Sequence, residues 1–219
     1  TDVTVTLSNG AQITIAAGAS TGTVNVPAPS DDVYVDAGSV SATITGATGG
    51  GFESLAVNPA PAVTAVTDTI DTTTVSLTAT PSVAEGGSIV YAASLTSPAA
   101  TDVTVTLSNG AQITIAAGSS AGTVSVPAPS DDVYVDAGSV SATISSATGG
   151  GFESLAVNPA PAVTTVIDTI NTTTVSLTAS PSVAEGGSIV YTASLTSPAA
   201  TDVTVTLSNG AQITIAAGA

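Results

Sequence analysis

The stretch "DVTVTLSNGAQITIAAG" at residues 102–118 carries the fold in miniature. Val103, Val105 and Leu107 alternate with threonines, and a two-residue period belongs to a strand with one buried face. Asn109-Gly110 follows, a dipeptide that favours a tight turn with positive φ, and Ile113 and Ile115 lead the chain back. The stretch therefore reads as a β-hairpin with an apolar and a polar face.

It also occurs at 2–18 and 202–218. Residues 1–100 align with 101–200 without a gap, differing only at Ala19/Ser119, Thr21/Ala121, Asn25/Ser125, Thr45/Ser145, Gly46/Ser146, Ala65/Thr165, Thr67/Ile167, Asp71/Asn171, Thr80/Ser180 and Ala92/Thr192; residues 201–219 begin a third copy. A period of this length is the size of an immunoglobulin-like sandwich and far exceeds a solenoid repeat.

The other strands follow from the same alternation. Val75, Leu77 and Ala79 share one face of 72–80, and Ile89, Tyr91, Ala93 and Leu95 share one face of 88–96. Strands are also expected at 122–129, ended by prolines, at 138–145 through Val140, Ala142 and Ile144, and at 161–170. With about seven strands per repeat and no helical period, the expected class is all-β: tandem immunoglobulin-like antiparallel β-sandwiches. "DTIDTTTVSLT" (68–78) runs from the last strand of one bead into the first of the next, so the numbering is out of phase with the fold. Residues 1–71 are expected to be a partial repeat lacking its first two strands, 72–171 a complete one, and 172–219 the first strands of a third. The chain then reads as a window cut from a longer array; the alternative is strand exchange, a neighbour's 172–200 completing 1–71.

Charge narrows the function. The chain has 16 acidic residues, no Lys, Arg or His, and a formal net charge of −16. Nucleic acid and anionic membrane surfaces are excluded as partners, because both need basic side chains. There is no Cys for a disulfide, a thiol nucleophile or a zinc site. The 43% hydrophobic content argues against a disordered acidic tail. No signal peptide and no apolar run of membrane-spanning length is present in these residues.

The carboxylates are the chemistry that remains. "SDDVYVDAG" at 30–38 and 130–138 packs three of them into six residues. In a sandwich, the loops after strands one, three and five share a pole with the end of the last strand. For 72–171 that pole collects Glu85, Asn109, Asp131, Asp132, Asp136 and Asp168, while Asp102 and Glu153 fall at the opposite pole. Carboxylates that converge without a basic partner either stay apart in solvent or bind a hard cation. Calcium, with six to eight oxygen ligands, suits Asp, Glu and carbonyl groups better than magnesium or zinc. The expected calcium ligands are Glu85, Asp131, Asp132, Asp136 and Asp168, with Asp31, Asp32, Asp36, Asp68 and Glu185 as their counterparts in the flanking copies, and Asp71 besides. Against this stand plainer readings: Asp131 and Asp132 shaping a turn through their own backbone, and Glu85 and Asp168 as solvated loop residues.

"VSLTATPSVAEGGSIVYAASLTSPAATDVTVTLSNGAQITIAAG", "VPAPSDDVYVDAGSVSATI" and "TDTIDTT", set on this period, resemble the extender repeats of LapA-type large adhesive proteins. These are giant cell-surface adhesins of Gram-negative biofilm formers, related to the RTX (repeats-in-toxin) adhesins. The resemblance covers the whole chain. It implies an extracellular, calcium-stiffened shaft, exported by type I secretion, that holds an adhesive tip away from the cell. Its implied partners are calcium ions and neighbouring repeats, with any surface or matrix ligand taken by other domains and no membrane contact by this segment. The alternatives are a surface- or glycan-binding module and a strand-exchanged filament subunit.

An enzyme is not expected. "TGGGFES" (148–154) has no Lys and precedes no helix, so it reads as a flexible loop and not a phosphate cradle. The serines have no His or Lys base. Sugar-binding aromatics for glycoside chemistry are nearly missing. "NTT" at 171–173 matches a glycosylation acceptor only by a pattern common by chance. Tyr134 reads either as a tyrosine-corner-like clamp or as core packing.

Overall fold

The computed structural model describes residues 1–36 and 38–219, and every regular element among them is a β-strand. The first copy holds β1 (Val3–Leu7), β2 (Gln12–Ile15), β3 (Gly38–Ala42), β4 (Ile44–Gly49) and β5 (Ala62–Val66). Then come β6 (Thr72–Ala79), β7 (Ser82–Ala84), β8 (Ser88–Leu95), β9 (Val103–Leu107), β10 (Gln112–Ile115), β11 (Ala121–Pro127), β12 (Gly138–Ala142), β13 (Ile144–Gly149), β14 (Ser154–Val157) and β15 (Ala162–Ile167). The third copy has β16 (Val175–Ala179), β17 (Tyr191–Leu195), β18 (Val203–Thr206) and β19 (Gln212–Ile215).

The hairpin forms as its alternation predicts. β9 and β10 pair with Val103 opposite Ile115 and Val105 opposite Ile113, and all four side chains are fully buried. The turn carries the expected positive φ, at its glycine. The Leu107 carbonyl accepts from Gly110 N–H at 3.0 Å, Leu107 N–H donates to the Ala111 carbonyl at 2.9 Å, and only Gly110 has positive φ, at 83°. This is a type I turn closed by a glycine bulge, not a two-residue turn with two positive φ values.

β6 to β15 close into an immunoglobulin-like sandwich. A four-stranded sheet, β11-β8-β6-β14, stands against the three-stranded sheets β10-β9-β13 and β12-β15-β7. Val75, Leu77, Ile89, Tyr91, Ala93 and Leu95 from the first meet Val105, Leu107, Ile113, Ile144 and Ala162 from the others in one core. The strand expected at 72–80 is an edge strand that changes sheets: it breaks at Thr80-Pro81, where proline offers no N–H to a ladder, and resumes as β7. Both halves pair in parallel with late strands, β6 with β14 and β7 with β15. The sandwich is therefore not purely antiparallel. The strand expected at 138–145 also divides: β12 pairs with β15, and beyond Thr143 β13 pairs with β9 in the neighbouring sheet. Ten short strands result where alternation alone suggests about seven.

Near-identical sequences fold differently where partners differ. "SLAV" is β14 at 154–157 but no strand at 54–57, where 1–71 offers no counterpart of β6. Likewise 121–127 is β11, laid on β8, whereas 21–27 is irregular and leaves Val24 and Val26 exposed. Pairing decides these segments more than propensity does.

Candidate metal centre

The turn after β7 carries Glu85 and is tied at two points. Glu85 N–H donates to the Ile167 carbonyl at 3.0 Å, and Gly86 N–H to the Pro129 carbonyl at 2.7 Å. Gly86 takes φ of 70°, which a side chain would oppose. These bonds draw the end of β15, the "SDD" segment and the Glu85 turn to one pole. There Glu85, Asp136 and Asp168 place carboxylate oxygens within 4.8 Å of one another.

Glu85 is only 7% exposed, and its Oε2 has no hydrogen-bond partner; nor has Oδ1 of Asp168. Sharing a proton with Asp136, together with burial and the charges of Asp136, Asp168 and Asp131, pushes the Glu85 carboxyl up to about 7. A buried carboxylate oxygen left without a donor is a costly arrangement. Among side chains the chain can supply no cationic remedy. An all-oxygen donor set with an orphaned buried oxygen fits a hard divalent cation.

A second cluster lies between copies. Asp31 and Asp68 of the first copy meet Glu153 of the next, again with oxygens within 4.8 Å. Glu153 Oε2 accepts the Asp71 N–H at 2.5 Å, while its Oε1 is buried and unpartnered. The Asp71 hydrogen bond pulls the Glu153 carboxyl down, but burial and the charges of Asp68 and Asp31 outweigh it and leave the group above its usual value. Asp36 is likewise raised, first by burial and then by Asp32 and Asp68.

The remaining expected ligands take other places. Asp32 and Asp132 each accept the N–H two residues on, from Tyr34 at 2.8 Å and Tyr134 at 2.7 Å, which is the turn-shaping geometry. Asp131 accepts from the Thr169 hydroxyl and, at 2.8 Å, from the Asn171 amide, and these bonds hold its carboxyl below the usual range. Asp71 contributes its backbone N–H to the second cluster. Glu185 is exposed and belongs to neither cluster. Asn109 does not reach the pole: its Oδ1 accepts Ala111 N–H, and neighbouring Ser108 bonds to Thr143, at the far end of β12 from Asp136. Asp102, at the other pole, caps the Ala117 N–H at 2.9 Å, as Asp2 and Asp202 do in their own copies.

Glu153 is the residue that reasoning within one bead misses. Its loop faces away from the pole of its own copy and toward the pole of the copy before. The available signal was the end-to-end order of the repeats, which sets the "GGGFES" pole of one against the "SDDVYVDAG" pole of its predecessor.

A family model described as LapA domain matches residues 1–69, 71–169 and 171–219. No curated protein and no solved structure matches the chain.

Proposed function

The chain belongs to the LapA domain family, and on that premise we propose that it is a structural shaft segment of a cell-surface adhesin. In this reading, repeats at 1–71, 72–171 and 172–219 stand end to end, and calcium stiffens the array. The observation that carries it is the Glu85–Asp136–Asp168 cluster, whose buried Glu85 oxygen lacks a donor in a chain without a basic side chain. Glu85, Asp136 and Asp168 hold one ion inside the central repeat, and Asp31, Asp68 and Glu153 hold another across the joint. Bound calcium supplies the positive charge that lets these carboxylates stay ionised side by side.

The two positions have different consequences. The ion inside the repeat fastens β15 and the Glu85 turn to the segment before β12 and stabilises the fold. The ion at the joint removes repulsion between Asp31, Asp68 and Glu153, which otherwise drives the repeats to hinge. Extracellular calcium modules bind at roughly 10⁻⁴–10⁻³ M, so the shaft is stiff outside the cell and loose where calcium is scarce. Small-angle scattering of the full chain with calcium and with chelator tests this. A longer, narrower distribution of dimensions is expected with calcium; identical curves would sink the reading.

A further inference from the structure

The "SDDVYVDAG" segment makes a second kind of contact that involves no carboxylate oxygen. Tyr34 O–H donates to the Pro98 carbonyl at 2.6 Å, and the Tyr34 ring stacks on Phe152 with centroids 5.7 Å apart and planes 19° from parallel. Around this pair the backbones form a short antiparallel bridge. Val35 N–H donates to the Gly151 carbonyl at 3.3 Å, and Glu153 N–H to the Val33 carbonyl at 3.1 Å.

The receiving surface is built within the following copy. Ala100 N–H donates to the Gly150 carbonyl at 2.8 Å, fixing the proline turn to the glycine loop. At Gly150 a β-carbon would fall 2.3 Å from the Phe152 ring, so glycine there seats the ring. Phe152, stacked on Tyr34, is half-buried. The tyrosine contact recurs one period on, where Tyr134 O–H donates to the Pro198 carbonyl at 2.8 Å.

We propose that residues 33–35 form a metal-independent latch whose partner is the Pro98 turn and Gly150–Glu153 loop of the following repeat. The latch holds two repeats in contact and presents Glu153 to Asp31 and Asp68; a cation there only restrains rocking about a contact already made. It does not depend on the calcium reading. An aromatic pair and a hydrogen bond of this kind together imply roughly tenfold slower opening.

Amide hydrogen exchange of the full chain in chelator tests it. Val35 and Glu153 N–H are expected to exchange about tenfold more slowly in the parent than in Tyr34→Ala. Tyr34→Phe, which keeps the stack and loses the hydroxyl bond, is expected to fall between them. Amides of Tyr91 and Val105, in the core of the central repeat, should be equally protected in all three and report that the fold is intact. Unprotected Val35 and Glu153 in the chelated parent would overturn the latch, as would full protection in Tyr34→Ala. Loss of scattering response to calcium with the latch intact would overturn only the calcium reading.

Discussion

The backbone N–H of Asp71 donates to Oε2 of Glu153 at 2.5 Å, joining residues 82 positions apart. That bond fixes one oxygen of Glu153 and leaves the other buried beside Asp31 and Asp68. Glu153→Gln removes one charge from the joint without touching the core. In chelator its melting temperature should not fall below that of the parent, because the substitution relieves repulsion from Asp31 and Asp68. The scattering response to calcium should shrink. A large loss of thermal stability would mean that Glu153 supports the fold and not the joint.

Glu85→Gln should show opposite signs in two conditions. In chelator at pH 8 it relieves repulsion at a buried cluster, so the melting temperature rises. In calcium it removes a ligand, so the melting temperature falls below that of the parent. Melting curves in both buffers check this, and a shift of the same sign in both would contradict the assignment.

The cation-free chain should also lose stability as pH rises. An unfolded glutamate titrates near 4.5, whereas Glu85 in the fold is held at about 7. Between those values the folded chain keeps a proton that the unfolded chain has released, so raising the pH favours unfolding. The loss should develop across that window and level off above it. Calcium should flatten the profile. Melting from pH 4 to 8 in chelator reads it directly.

Equal sequence should not mean equal cost. Ile113 is fully buried, while Ile13, in the same hairpin sequence, is half-buried. Ile113→Ala should cost about 2–5 kcal/mol, and Ile13→Ala distinctly less, measured by denaturant unfolding.

Asn171 stands where the preceding copy has Asp71, and its amide donates to Asp131. Asn171→Asp exchanges a donor for a charge, so the Asp131 carboxyl should rise from its lowered position, with the Thr169 hydroxyl bond still opposing the rise. Carboxyl NMR titration would follow the change.

Much of this was legible in sequence for a simple reason. Val103, Val105, Leu107, Ile113 and Ile115 alternate strictly, and alternation is a local signal of a half-buried sheet. The meeting of Glu85, Asp136 and Asp168 followed from topology, since each lies just beyond a strand end at one pole. β7 and β14 were hidden because they are short and pair in parallel with distant strands. "SLAV" is a strand at 154–157 and irregular at 54–57, so no local property could have marked it. Glu153 and Tyr34 were hidden for another reason: each acts on the adjoining copy, and reading one bead at a time makes Tyr134, the counterpart of Tyr34, a corner clamp or core residue of its own bead, whereas its hydroxyl donates to the Pro198 carbonyl. Asp132 shows the reverse case, where the plain turn-forming geometry is the one present.

The central claim is that folded repeats bind calcium through their polar clusters, and thermal melting of the full chain tests it most directly. At about 10 mM calcium and affinities of roughly 10⁻⁴–10⁻³ M, linkage adds about 1.4–2.7 kcal/mol for a site in the central repeat. For a domain of this size each kcal/mol is worth about 4–8 °C. The account predicts a rise of that order over the chelated chain, lost in Glu85→Gln. Superimposable melting curves in calcium and chelator would contradict it.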